Sequence, residues 1–231
     1  MNSNKKIAKL SILFVCYFSF SSMAGTALIF DSPNLLALEQ GGGMVGFYAA
    51  RNEKFSCDFL FFSNQDGRRH QAVIGYRKTE LLAFIQSGKR MIFAQRDRDF
   101  DVSGVLYRDG DRWVLQTDVE PAGCGNAMGG FGFAPSTRSI NNFYVEKRIR
   151  AVGIRTVIRK SYLHEKTATS FSRRKAYLTA SDNVLVLQER DGFSYVRFSD
   201  PRSYVANPGA VTLGWVRSTD LVNPFPPANK P

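Results

Sequence analysis

Two histidines and three cysteines are all that 231 residues supply of the side chains that most readily build metal and nucleophilic centres. His70 and His164 stand far apart, and two of the three cysteines are expected to be oxidised, so no zinc set assembles. Acids are also scarce, with 20 Asp and Glu against 31 Lys and Arg, a net charge of +11. That balance favours anionic partners. Beyond residue 24 no apolar run approaches the roughly 20 residues needed to cross a bilayer as a helix. No internal repeat is present. Four of the nine prolines crowd into Asn223–Pro231, which predicts a loose tail over 224–231.

What is present at the start of the chain is an export pattern. Lys5, Lys6 and Lys9 precede a short apolar stretch from Leu10 to Phe20, and Ser22 and Ala24 follow at the −3 and −1 positions of a cut after Ala24. Basic, apolar and small, in that order, is the signature of a signal peptide over residues 1–24. Cys16 lies within the apolar stretch. Cleavage leaves 207 residues with a charge of +8, since the signal holds three lysines and no acid. The expected location is the periplasm or the exterior, which makes nucleic acid a poor partner despite the charge. Cys57 and Cys124 then remain and are expected to pair, as cysteines in an oxidising compartment do.

The fold class expected is mainly β. Residues 25–134 read as an antiparallel β domain closed by the disulfide, 135–149 as a linker, and 150–223 as a second small β domain. Val45–Ala50 and Phe55–Phe62 are aromatic, β-branched runs flanking a hairpin-length loop. Asp66-Gly67 is the next turn, followed by a strand over His70–Tyr76. Val105–Arg108 and Arg112–Gln116 flank Asp109-Gly110, where a type I′ turn is expected. Thr79–Gln86 is the one stretch with a helical reading, and Met91–Ala94 reads as strand. In the second half, strands are expected at Arg155–Leu163, Lys175–Leu178, Asn183–Arg190, Phe193–Phe198 and Leu213–Arg217, with an Asp191-Gly192 turn.

Three segments of the second half carry a family likeness: Arg174–Val184, then Val186–Arg197 with its Phe193-Ser-Tyr-Val196 step, then Gly214-Trp-Val-Arg-Ser-Thr-Asp-Leu221. In this order and spacing they resemble the bacterial SH3-like domain over roughly residues 150–223. Phe193 stands where that family commonly has Trp, and Pro201–Val211 is a longer loop than usual. The resemblance implies a small five-stranded barrel that binds, commonly recognising cell-wall peptides or a partner protein, and implies no catalysis. Its aromatic groove would be Trp215 with Tyr162, Tyr195 and Phe193. Residues 25–145 carry no recognisable family pattern.

Candidate chemistry elsewhere is thin. A Cys/His hydrolase would need a thiolate beside an imidazole, and His70 alone would have to serve. Asp97, Asp99 and Asp101 have the spacing that opens a calcium loop, but Val102 and Arg108 stand where that loop needs Gly and Glu. Between Lys147 and Lys175 there are ten Lys or Arg against Glu165 alone. Alternation there places Arg155, Val157 and Arg159 outward on a strand whose other face is Ile154, Thr156 and Ile158. The expectation is therefore a binding protein with no catalytic residue, metal or cofactor. Its ligand-binding residues would be Trp215, Tyr162, Tyr195, Phe193, Arg155 and Arg159, and its partner a cell-wall peptide or a periplasmic protein. The alternative is a periplasmic inhibitor or immunity-type protein that meets a secreted enzyme or toxin through the disulfide-closed first domain.

Overall fold

The structure, a computed structural model, describes residues 24–63, 72, 73, 75–127, 129–135 and 141–227. The signal segment up to residue 23, the Asp66-Gly67 turn, His70 and residues 228–231 lie outside the described residues.

The protein is mainly β, as its composition of short aromatic and β-branched runs requires. Nine strands make the first sheet: β1 (Gly25–Phe30), β2 (Leu35–Gln40), β3 (Gly43–Arg51), β4 (Ser56–Ser63), β5 (Ala72–Val73), β6 (Tyr76–Phe84), β7 (Val102–Asp109), β8 (Arg112–Thr117) and β9 (Asn142–Ala151). Consecutive strands pair antiparallel, β4 pairs with β6, and β9 returns to β1, so eight of them close into an up-and-down barrel with β5 appended to β6. Closure removes the unpaired sheet edges that invite aggregation.

Alternation along each strand sends one set of side chains inside. Leu28, Phe30, Leu35, Tyr48, Phe59, Phe61, Leu106, Trp113, Leu115 and Phe143 fill the interior as one core, so the barrel is packed rather than hollow. Tyr48, Phe59 and Phe131 interlock with ring centroids 4.8 and 5.1 Å apart in edge-to-face contacts, a favoured geometry for aromatic pairs. Phe131 reaches this core from the segment after β8, which the Cys57–Cys124 bridge ties to the β3–β4 end of the barrel. Asn52 secures the same end: its Oδ1 accepts from the Lys54 and Phe55 amides, and its Nδ2 donates to the Asn126 carbonyl. One end of the barrel is thus plugged.

Gly46 shows how tight the filling is. A Cβ there would overlap the Phe61 ring, itself 1% exposed. Gly46→Ala is expected to destabilise by about 1–3 kcal/mol through overpacking, read as a lowered urea midpoint with an unchanged slope. A shift below about 0.5 kcal/mol, the scale of a neutral surface change, would show that Phe61 can move aside.

The second sheet contains β10 (Gly153–Val157), β11 (Ser161–Lys166), β12 (Phe171–Leu178), β13 (Asn183–Arg190), β14 (Phe193–Ser199), β15 (Val211–Arg217) and β16 (Leu221–Val222). Its order is β12-β11-β15-β14-β13-β10-β16, a curved antiparallel half-barrel. The five strands expected here are present. The first is split by Ile158–Lys160 into β10 and β11, and β16 is added after a 3-10 turn at Ser218–Asp220. Val157, Leu163, Leu178, Val184, Val186, Val196 and Val216 form the core of its inner side.

Several expectations are corrected. Thr79–Gln86 is no helix; most of it is β6, whose Leu81 and Ala83 point into the barrel while Leu82 and Phe84 face the second sheet. A strand buried on both faces loses its period-2 polarity and reads like a helix. Met91–Ala94 is not strand: Phe93 opens a 3-10 turn and packs on Phe62 and Phe84. Residues 142–149 of the expected linker are β9, the strand that closes the barrel. The tail is anchored within its described part, because Phe225 is buried against Phe84. The Asp97–Asp101 run is a 3-10 turn capped by Asp97, and Asp101 is held by Arg96 at 2.7 Å. The expected type I′ turn at Asp109-Gly110 is displaced by one residue. Asp109 pairs with Arg112, and of the intervening Gly110 and Asp111 only Gly110 has positive φ. At Asp191-Gly192 both residues do, at +52° and +77°, as a type I′ hairpin requires.

The two sheets share a core. Ala27, Leu36, Leu38, Phe47, Leu60 and Phe62 on the barrel's outer face pack with Ile154, Leu185 and Phe225. Polar ties reinforce the seam. Arg51 binds Asp58 at 2.8 Å and approaches Asp182 at 3.7 Å, its carbonyl accepts from the Ser203 amide, and Gln86 donates to the Thr156 hydroxyl. Burial raises the Asp58 carboxyl above its ordinary range, although Arg51 opposes the shift.

Candidate binding site

The most distinctive side-chain grouping lies on the half-barrel, where register decides what meets what. Tyr195 on β14 is opposite Trp215 on β15, which is opposite His164 on β11, which is opposite Arg173 on β12. Directly paired residues share a face, so these four form one row across four strands. One step along, Phe193 pairs with Arg217 and Lys166 with Phe171.

The rings are in mutual contact. Phe171 stacks on Phe193 with centroids 4.0 Å apart, Phe171 meets Trp215 edge-on at 5.4 Å, and Tyr195 lies 5.2 Å from Trp215. His164 packs on Phe193 at 5.1 Å, and its Nδ1 lies 3.3 Å from the Trp215 carbonyl. Trp215 itself is 8% exposed, so it forms the floor, while Phe171, Phe193 and Tyr195 are half-buried around it. Beside this cluster Tyr162 meets Tyr177 at 5.9 Å.

Cations rim both groups. The Lys160 ammonium sits 4.0 Å from the Tyr177 ring centre, the Arg173 guanidinium 4.4 Å from Tyr162, and the Lys166 ammonium 6.0 Å from Trp215. Arg173, Arg174 and Lys175 are exposed on β12, the end strand of the sheet, and Tyr177 and Leu213 are exposed nearby. Cations over ring faces are attracted to the ring quadrupole and keep the face from becoming a bare apolar patch. Such a surface can stack a sugar or peptide face against the rings while the ammonium and guanidinium groups take up carboxylates.

Of the residues expected to bind, Trp215, Tyr195 and Phe193 come together here, and Tyr162 adjoins them through Arg173. Arg155 and Arg159 do not join them. Arg155 is half-buried on β10, donates to the Ile154 carbonyl, and is held below the usual guanidinium range by burial against the pull of Glu189. Arg159 is bound by Asp220 at 2.8 Å and donates to the Thr219 carbonyl. The outward face expected for β10 fails at Val157, which is fully buried in the half-barrel core. Curvature against the barrel buries both sides of this strand.

Phe171, Tyr177 and His164 were not read as ligand contacts. Their signal was the alternation Phe171-x-Arg173-x-Lys175-x-Tyr177 opposite Tyr162-x-His164-x-Lys166. The irregular register of β12 between the partners of Tyr162 and His164 obscured it. With Cys57 and Cys124 joined, neither sulfur is a nucleophile.

Compared with known proteins, the chain matches no family model, no curated protein and no solved structure. The fold and the site define its class: an antiparallel β protein in which a packed, disulfide-plugged barrel carries a curved sheet with an aromatic and basic face.

Proposed function

We propose that this is an exported, non-catalytic binding protein of the cell envelope that holds the acidic peptide stems of peptidoglycan on the aromatic and basic face of its half-barrel. The observation that carries the reading is the contiguous Phe171, Phe193, Tyr195 and Trp215 ring cluster with Lys166 beside Trp215, adjoined by the Tyr162–Tyr177 pair that carries Arg173 and Lys160. The resemblance to the bacterial SH3-like domain supports it in the same place. The Gly214-Trp215-Val216 step lies in β15, and Leu221 opens β16 after the 3-10 turn and returns the chain to β10. Export is supported by the Cys57–Cys124 disulfide. No described helix is long and apolar enough to cross a membrane.

The test is co-sedimentation of the mature chain with purified sacculi. Tyr195→Ala combined with Lys166→Gln is expected to cut retention by about tenfold or more, the equivalent of one lost stacking contact and one charge contact. Circular dichroism should be unchanged, because both positions are half-buried at most. Absence of wild-type retention, or equal retention of the folded variant, would overturn the reading. Removing residues 146–231 is not a usable control, since it deletes most of β9 and opens the barrel.

A second reading, an inhibitor that meets a secreted enzyme through the first domain, draws on exposed Val119 and Phe133, which flank Cys124 on the bridged segment. It gains weight only if Val119→Asp and Phe133→Asp, and not the half-barrel variants, abolish capture of a defined envelope enzyme.

A further inference from the structure

The barrel's two ends are unlike. One is plugged by the disulfide-tied segment with Phe131. The other, where β2 turns into β3 and β7 into β8, is not plugged by any of the described residues, and arginines take over the inward-facing positions there. On β6 the series that puts Leu81 and Ala83 in the core continues outward to Arg77; on β7 the series through Leu106 continues to Arg108. Arg77 and Arg108 are direct cross-strand partners, Arg108 is opposite Trp113, and Arg148 is opposite Leu28. Arg77, Arg108 and Arg148 line a cleft of about 430 Å³ with Glu39, Asp109 and Trp113.

Like charges directly opposite on a sheet destabilise it. Part of that cost is offset within the mouth: Glu39 binds Arg108 and Asp111 binds Arg148, each at 2.5 Å. Arg77 has no carboxylate partner among the described residues. Beneath the pair, the Arg108 guanidinium lies 5.0 Å from the Trp113 ring centre, and Trp113 is 2% exposed. The packed core below sets the depth, so only a small group can enter.

We infer that this mouth is a binding site for the oxyanion end of a small molecule, a phosphate or a carboxylate seated between Arg77, Arg108 and Arg148. Guanidinium forks match both groups bidentately. The bound anion would pair Arg77 and screen it from Arg108. It would compete with Glu39 for Arg108, and both members of that ion pair also line a neighbouring cleft of about 320 Å³ together with Gly41, Gly42 and Gly43. The site is separate from the aromatic face and does not depend on it.

Trp113 is a built-in reporter. In a Trp215→Phe protein it is the only remaining tryptophan, and it can be titrated with pyrophosphate or with citrate at constant ionic strength. A saturable change in its emission is expected, with pyrophosphate or citrate preference identifying the oxyanion class. Arg77→Gln should weaken binding by about tenfold or more and Arg77→Lys by less, because lysine keeps charge without the fork. Calorimetry on the wild-type chain gives the same constant without the background substitution. No saturable signal with either probe, or titrations unchanged in folded Arg77→Gln, would overturn the site while leaving the sacculus experiment unaffected.

Discussion

Loss of the Cys57–Cys124 bridge is expected to destabilise the mature protein by about 4 kcal/mol. The bridge spans a sequence separation of 67 residues, and the chain-entropy relation for a loop of that length gives this figure. Against a typical domain stability of about 5–15 kcal/mol, the loss removes a large share of the margin. The structure adds a local reason for an effect this size. Both cysteines are fully buried, and Cys124 leads the segment that brings Phe131 under Tyr48 and Phe59. Freed of the bridge, that segment must keep the barrel end shut by packing alone. The check is the urea midpoint of the Cys57→Ala, Cys124→Ala double variant, with the reduced wild type beside it. A change below about 1 kcal/mol, far under the loop-closure figure, would mean that the segment is held by its apolar contacts and that the bridge is redundant.

Phe59→Ala is expected to cost about 3–5 kcal/mol, the range for a buried phenylalanine truncated to alanine. Phe59 is 1% exposed and touches Tyr48, Phe61 and Phe131. The size depends on how far the surroundings can collapse into the vacancy. Here they cannot collapse far: eight strands hydrogen-bonded in a closed ring fix the diameter of the barrel. The effect should therefore fall in the upper part of the range. Because Phe59 and Phe131 are in contact, Phe59→Ala and Phe131→Ala should be non-additive. Phe100, 45% exposed, serves as the surface control, with a change within about 0.5 kcal/mol. A Phe59→Ala cost near that of the control would mean that the interior repacks and is not the rigid plug that the geometry indicates.

These two expectations rest on different amounts of sequence information. The cysteine pair was legible because only two cysteines follow the expected cleavage site and one pairing exists. Phe59 was legible as a strand residue but not as a barrel-interior one. Its neighbours Leu60 and Phe62 are as apolar as Phe59 and Phe61, and both faces of β4 are buried, one in the barrel and one against the second sheet. When both faces are apolar, alternation carries no signal about which face points where.

The candidate sites show the same division. Trp215, Tyr195 and Phe193 were readable from short motifs because β14 and β15 are local partners, seven residues in continuous register. Phe171 and His164 needed the pairing of β11 with β15, across some fifty residues of chain, before they joined the cluster. Arg155 and Arg159 had the right charge and spacing but the wrong surroundings, one half-buried beside the core and the other bound by Asp220. The barrel mouth left no trace in any window of sequence. Arg77, Arg108 and Arg148 are isolated residues on three strands, and only closure of the ring gathers them.

The sequence by itself determined the mainly β class, the cysteine pairing, the main hairpins and the aromatic centre of the half-barrel, because each depends on residues near in sequence or on simple counting. Tertiary structure alone decided that β9 closes a ring instead of linking two domains, that the two sheets share a core, and that three scattered arginines meet at one mouth. Those outcomes depend on which long-range strand pairings form together. Pairing is a property of whole sheets, and no local pattern of apolar and polar residues encodes it when both faces of a strand are buried.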